Sequence, residues 1–247
     1  MRIACLSAET ADVCARIGAW DDVVAVSAFA DQSGLRRKPV VSGFSTGEAA
    51  RILAHSPDLV LTFSDVQADL AAALIRAGAT VLATNQRTLA GTAAAMRLIG
   101  RAIGRGDAAD RLATDFEKQL HELRRAPARR PRVYFEEWPD PPICGIAWVG
   151  EIIELAGGED IFADRRGSAA KDRTVNDGQV MAAAPDFIFA SWCGKPVDLP
   201  ALKHRFASTP AAGADRIKEL PSSDILQPGP RLLDGARAVR KALETFE

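Results

Sequence analysis

The sequence predicts an α/β protein built from two similar lobes, each with a parallel sheet, joined by a long helical segment. Strand-like and helix-like segments alternate between residues 2 and 83, and the alternation resumes at residue 132. A helical stretch over residues 88–125 separates the two alternating parts. Each part contains a helix end, a Pro-Asp pair and an apolar run at the same spacing, ILAHSPDLVLTFSD in the first and VMAAAPDFIFASWC in the second.

In the first part, short apolar runs bounded by turn residues predict strands, and amphipathic segments that stop at glycine or before proline predict helices. The predicted strands cover residues 2–6, 23–26, 59–63 and 81–83. The predicted helices cover residues 9–17, 47–54 and 65–77. Strands that alternate with helices are typical of parallel sheets covered on both faces.

The stretch over residues 88–125 is helical and is divided by Gly104 and Gly106, and the segment APARRPR then ends it. We therefore expect an N-terminal lobe over residues 1–88, a helical linker over 89–126 and a C-terminal lobe over 127–247. In the second lobe the predicted strands are 132–135 and 187–190, and the predicted helices are 146–155 and 232–246. Two such lobes would form a ligand cleft between them, because ligands bind beyond the carboxyl ends of parallel strands.

Composition narrows the range of functions. The 31 basic and 32 acidic side chains give a net charge of -1, so nucleic acid is not an expected partner. No apolar stretch is long enough for membrane insertion, and the first residues lack the apolar core of a signal peptide. We therefore expect a cytoplasmic protein, and the alternative is a periplasmic protein whose signal peptide has been removed. In the cytoplasm the thiols are reduced, and we expect Cys5 and Cys14 to be core residues.

Polar and aromatic side chains cluster after the predicted strands. Such positions are where α/β proteins bind ligands. The candidates are Asp65, Gln67, Gln86 and Arg87 in the first lobe, and Glu136, Trp138, Arg173, Trp192 and Lys195 in the second.

Two tryptophans at strand exits, Trp138 and Trp192, either pack against neighbouring loops or offer a flat platform to a planar ligand. Glu136 and Glu137 are adjacent, so on a strand they would face opposite sides and could not act as a catalytic pair. Cys193 is either inert or a thiolate ligand for a soft metal, assisted by Lys195. Phosphate-binding loops, nucleophile elbows and histidine metal motifs are absent from the sequence.

With these features the chain resembles the helical-backbone (class III) periplasmic binding proteins, the ABC-transporter receptors for cobalamin, ferric siderophores and haem. The resemblance rests on the order of elements, the linking helix, the repeated Pro-Asp pattern and the segment WVGEIIELAGGEDIF. The stretches TFSDVQADL, NQRT, FEEWPDP, SWCGK and LQPGPRLLDG are most similar to the cobalamin-binding branch. The family implies two Rossmann-like lobes bridged by one long helix, with a flat ligand between them.

The resemblance also implies roles for individual residues. Trp192 would stack on the ligand, and the other candidates named above would contact it from the two lobes. Receptors of this family present one exposed glutamate on each lobe to the membrane permease. The corresponding positions here are Ala50 and Gly178, which argues against permease docking.

These inferences favour a non-enzymatic, cytoplasmic binding protein for a corrinoid or a related metal chelate, uncoupled from a permease and requiring no cofactor. One alternative is a periplasmic transport receptor for cobalamin, ferric siderophore or haem. Another is an enzyme that uses Cys193 or Glu136. A haem ligand would want a histidine or tyrosine at a strand exit, and Tyr134 lies within a predicted strand, so haem ranks below a corrinoid.

Overall fold

The computed structural model describes residues 1–167 and 169–246, and the chain divides into two compact units. The N-terminal unit consists of residues 1–86 and 90–116, and the C-terminal unit consists of residues 87–89 and 117–247. The mixed α/β class predicted from the alternating segments is confirmed in both units.

The sheet of the N-terminal unit has five strands, all parallel, in the order β3-β2-β1-β4-β5. The strands are β1 (Ile3–Cys5), β2 (Val23–Ser27), β3 (Val40–Ser42), β4 (Leu59–Phe63) and β5 (Val81–Thr84). Four of them lie where the apolar runs predicted strands. The fifth, β3, is a three-residue edge strand with one exposed valine, and its sequence has no apolar run that would reveal it.

Helices pack against this sheet, and the predicted linker forms two further helices. The helices are α1 (Ala8–Arg16), α2 (Ala49–Leu53), α3 (Ala68–Arg76), α4 (Leu89–Ala102) and α5 (Gly106–Glu122). The chain reverses between α4 and α5 at Gly104, whose φ of 71° favours glycine. Arg101 on α4 then pairs with Asp110 on α5 at 3.1 Å. The division between the units falls within α5, after Phe116.

The sheet of the C-terminal unit has the order β10-β9-β6-β7, with β8 also paired to β6. The strands are β6 (Arg132–Pro139), β7 (Pro142–Cys144), β8 (Glu159–Asp160), β9 (Phe187–Ala190) and β10 (Ile217–Glu219). The pairs of β6 with β8 and β9 and of β9 with β10 are parallel, as predicted, whereas β7 folds back antiparallel onto β6. This pairing extends β6 beyond its predicted end at Phe135.

The helices of the C-terminal unit are α6 (Ala147–Leu155), α7 (Asp177–Ala182), α8 (Leu199–Arg205), α9 (Pro210–Gly213), α10 (Ser222–Ile225) and α11 (Leu232–Leu243). Val180 of α7, Leu202 of α8 and Ala211 of α9 join residues of β6 and β9 in one apolar cluster. Trp148 on α6 is a core residue, as predicted, and its indole N–H donates to Ile225 O at 2.9 Å. Among the described helices, none is both long and apolar enough to cross a bilayer.

The internal repeat seen in the sequence recurs in hydrogen bonds. In the N-terminal unit the backbone N–H of Arg2 donates to Asp58 Oδ2 at 2.7 Å. In the C-terminal unit the N–H of Arg132 donates to Asp186 Oδ2 at 2.9 Å. Each aspartate of a Pro-Asp pair therefore fastens the amino end of a central strand. We call each of these contacts an Arg-Asp bracket.

The residue before each Pro-Asp pair adopts the same unusual backbone. Ser56 and Ala184 both have a φ of 46°, in the left-handed region that residues with a side chain seldom occupy. Each ends a short helix and turns the chain into the apolar strand that follows. The repeat thus extends from the sequence to a shared turn conformation.

Candidate functional site

Strand β6 of the C-terminal unit holds a buried carboxylate with several donors, at the level where the neighbouring strand β9 ends. Glu136 is 0% exposed. Its Oε1 accepts from Trp192 Nε1 and from Arg205 Nη1, each at 3.3 Å. Its Oε2 accepts from Tyr134 Oη at 3.2 Å and from Arg205 Nη2. Because all these partners donate, the arrangement suits an ionised carboxylate.

Burial raises the pKa of Glu136, and the neighbouring Arg205 guanidinium and the hydrogen bonds partly offset that rise. Arg205, the last residue of α8, also donates its Nε to Asp177 Oδ1 at 3.0 Å. This role of Arg205 was not predicted, since Arg205 follows Lys203 and His204 in a run that is typical of a solvated loop. Its partner lies 69 positions away, so no local pattern could reveal the pair.

Trp192 follows β9 and is half-buried. One side of its ring packs against the apolar cluster of this unit. Its indole N–H is held by Glu136, which fixes the orientation of the ring. The two interpretations of this residue, packing and platform, are therefore compatible, because a fixed and partly exposed indole can do both.

Glu137 and Arg173 form a second ion pair. Arg173 donates two N–H groups to the Glu137 carboxylate, at 2.6 and 3.1 Å, and one to Cys144 O at 2.6 Å. Arg173 is only 3% exposed, so its guanidinium is engaged inside the unit. Glu136 and Glu137 have different arginine partners, as expected of adjacent strand residues. They lie within β6, however, and do not follow it as the predicted strand end implied.

Trp138 and Lys195 lie together near the same end of the sheet. The Lys195 ammonium is 4.6 Å from the centre of the Trp138 ring, a cation–π contact. Cys193 is exposed, and partial desolvation together with the charge of Glu137 raises the pKa of its thiol. That shift disfavours the thiolate a metal would need. Among the residues that the structure describes, no cluster of three or more metal-ligating side chains occurs.

In the N-terminal unit, the predicted residues differ in exposure. Gln67 is buried, and its amide accepts from Phe63 N at 2.9 Å and donates to Leu6 O and Phe44 O at 2.7 and 2.6 Å. These hydrogen bonds join the end of β4, the residue after β1 and the loop after β3, so Gln67 has a structural role. Asp65, two positions earlier, is exposed.

The two candidates after β5 are divided between the units. Gln86 is buried and is grouped with the N-terminal unit, whereas Arg87 is half-buried and is grouped with the C-terminal unit. Their contact with a ligand stays a prediction.

Aromatic residues that the sequence reasoning missed follow β2 and β3. Phe29 is 41% exposed, and its ring meets that of Phe44 edge-on with centroids 6.2 Å apart. Val66, after β4, is 46% exposed. A search for aromatics after every strand, including β3, would have found the pair.

Glu9 is the most strongly perturbed carboxyl group of the N-terminal unit. It lies in the first turn of α1, directly beyond β1, and is 4% exposed. Burial raises its pKa from about 4.5 to about 7. Its Oε1 has no hydrogen-bond partner among the described residues. The structure thus holds a neutral or ionisable carboxyl group at the carboxyl end of the central strand.

Comparison with known proteins agrees with this architecture. Residues 3–223 match the model of the family described as "Periplasmic binding protein". A vitamin B12-binding protein of Vibrio campbellii is 26% identical, across 100% of this chain and 89% of the relative.

Solved structures show the same fold. The periplasmic vitamin B12 binding protein BtuF of Vibrio cholerae has a TM-score of 0.79 and 25% identity, covering 99% of this chain and 96% of its own. The periplasmic heme-binding protein RhuT from Roseiflexus sp. RS-1 has a TM-score of 0.83 and 22% identity, covering 99% and 98%.

Proposed function

The chain belongs to the periplasmic binding protein family, and on that premise we propose that it binds a corrinoid or a related metal chelate without transforming it. The names of the vitamin B12-binding relatives support the corrinoid class. The heme-binding structure shares the fold alone, and it keeps haem as the second candidate ligand.

The observation that carries the proposal is the fixed Trp192 indole at the carboxyl end of β9. Its N–H is engaged by a fully buried Glu136, so the ring has one orientation and little entropy to lose when a flat ligand stacks on it. Near the same end of the sheet, Lys195 offers a cation over Trp138. A corrinoid presents a flat ring, amides and a phosphate, which suit aromatic, polar and cationic partners respectively.

The state of the reactive groups supports binding over catalysis. Glu136 and Glu137 are each held by an arginine, and the raised pKa of Cys193 disfavours its nucleophilic form. A general acid or nucleophile would need a group free to exchange a proton with substrate.

The proposal also includes a cellular location, the cytoplasm, and the absence of docking on a membrane permease. Ala50 on α2 and Gly178 on α7 are both exposed and uncharged, where transport receptors of this kind present glutamates. This supports a cytoplasmic carrier that does not dock on a permease through those two charges. The structural neighbours BtuF and RhuT are periplasmic proteins, which supports the alternative of a transport receptor. Fractionation of the native cells, with the protein detected by antibody, decides between the two.

The test of the ligand is calorimetric titration with cobalamin, cobinamide, haem and a ferric hydroxamate, with visible spectra recorded in parallel. We expect micromolar or tighter binding of a corrinoid, weakened at least about tenfold by Trp192→Ala. Trp192→Phe keeps a flat ring and should lose less, and Lys203→Ala on the exposed face of α8 should change nothing. Absence of binding to all four compounds would overturn the proposal.

A further inference from the structure

Two cysteines in the N-terminal unit face each other inside the core. Cys5 is the last residue of β1 and Cys14 lies in α1, nine positions later. Their sulfur atoms are 3.8 Å apart, and both residues are 0% exposed. We call them the β1–α1 thiol pair. The ligand proposed above does not involve them.

At 3.8 Å the two sulfurs are in van der Waals contact. The bond length in a disulfide is roughly 2.05 Å, so the thiols are not linked. The two sulfurs are already in van der Waals contact between strand and helix, so a bond between them needs no large change in the fold. The short loop between them also makes their encounter frequent in the unfolded chain.

The folded, reduced pair is protected from chemistry. Hydrogen bonding to Cys14 and burial together hold the pKa of Cys5 well above its usual range, so the reactive thiolate is disfavoured. No oxidant reaches sulfurs that are fully buried. The redox state of the pair is therefore decided before α1 packs on β1.

We propose that Cys5 and Cys14 form a disulfide when the chain folds in an oxidising compartment, and persist as a buried thiol pair when it folds in a reducing one. The thiolate of one cysteine attacks the disulfide of an exchange partner, either a protein disulfide or oxidised glutathione, and releases one of its thiols. The second cysteine then displaces the other. The new S–S bond forms as both cysteines lose their protons, and the two electrons reduce the partner to two thiols.

The remaining cysteines serve as internal controls. Cys144 is buried in β7, where desolvation raises the pKa of its thiol to about 12, and Cys193 is exposed. The contact recorded for the Cys144 sulfur is with Arg165 O, at 4.0 Å. Both should therefore remain alkylatable after the chain is unfolded.

The experiment refolds the full chain from guanidinium either in dithiothreitol or in a glutathione redox buffer. Each sample is then unfolded, alkylated with iodoacetamide and digested with trypsin. Cleavage after Arg2 and Arg16 places both thiols in one peptide, and a glutamate-specific protease divides that peptide after Glu9. A disulfide is then read as two pieces that separate only on reduction.

We expect the glutathione sample to regain native circular dichroism with Cys5 and Cys14 linked and Cys144 and Cys193 alkylated. The dithiothreitol sample should be alkylated at all of them. The linked form should melt about 5–10 °C higher than the reduced form, because a loop of about ten residues is closed in the unfolded chain. Native protein from the glutathione buffer with Cys5 and Cys14 both alkylated, or linked to other cysteines, would overturn the proposal. The peptide analysis uses the unmodified chain, so the result does not depend on the folding of any variant.

Discussion

Replacing Arg205 by methionine should expose how much of the C-terminal unit depends on a buried charge. Glu136 is 0% exposed, and Arg205 supplies two of its donors and its positive counter-charge. The variant leaves the carboxylate with only Tyr134 and Trp192 as described partners. Breaking a buried ion pair by removing one member costs about 3–5 kcal/mol, since the other charge stays buried and uncompensated.

The loss should depend on pH with a definite sign. Burial already raises the pKa of Glu136 above its value in the unfolded chain, and loss of the guanidinium raises it further. The folded variant then binds a proton more tightly than the unfolded one. Stability lost at about pH 8 should therefore return as the pH falls through the folded-state pKa.

Urea unfolding followed by circular dichroism measures both effects. Lys203→Met is the matched control, because Lys203 lies on the same helix and its 2.7 Å pair with Asp215 is exposed. That change should cost less than about 1 kcal/mol. Adding Glu136→Gln to Arg205→Met should recover much of the loss. Arg205→Met and Lys203→Met are compared at about pH 8 and again below the folded-state pKa of Glu136. If their free energies of unfolding agree within about 1 kcal/mol at both pH values, Glu136 is not held as a buried anion.

Three further predictions concern the N-terminal unit and are tested by urea unfolding. Gln67→Leu should cost about 2–4 kcal/mol, because it leaves the buried Phe63 N and Leu6 O and the partly buried Phe44 O without their partner. The exposed Asp69→Asn on α3 should cost less than about 1 kcal/mol, and equal losses would contradict a structural role for the glutamine. Glu9, with its pKa raised to about 7, should lose about 3 kcal/mol of stabilisation as the pH rises from below about 4.5 to well above 7, and Glu9→Gln should abolish that slope relative to the unmodified chain. Gly100→Ala should cost about 1–3 kcal/mol, since its Cβ would lie 2.1 Å from a side chain of α5, and Gly106→Ala, with 3.6 Å of clearance, should be tolerated; the reverse order would refute the packing argument.

Much of the fold was predictable where burial dictates the sequence. The apolar runs after the Pro-Asp pairs became β4 (Leu59–Phe63) and β9 (Phe187–Ala190) at the predicted residues, because a continuous apolar run of that length has to be a strand buried on both faces. The end of β6 was misplaced. Two adjacent glutamates are typical of a loop in sequence. In the structure Arg205 pairs with Glu136 and Arg173 pairs with Glu137, so both carboxylates lie inside the sheet.

The candidate site was predictable only in outline. The rule that ligands bind beyond strand ends selected Trp192 and Lys195, which lie after β9, and their contact with a ligand stays a prediction. The same rule also selected Gln67, whose amide hydrogen bonds all go to backbone groups. Those bonds join the end of β4, the residue after β1 and the loop after β3, and the sequence does not reveal that these segments meet. Arg205 was missed for the same reason, since its role follows from tertiary contacts rather than from any local pattern.

The Arg-Asp brackets lie at the amino ends of the central strands, whereas the candidate ligand contacts lie at the carboxyl ends. The amino ends of the sheets are thereby fixed by contacts that no ligand touches. Loop positions at the carboxyl edge can accumulate substitutions, and so explore new ligands, with little penalty to folding where they avoid the structural contacts of Gln67 and Glu136. A library confined to the loops that follow β2, β3 and β9 should therefore yield many folded variants, which makes this chain a practical starting scaffold for redesigned specificity.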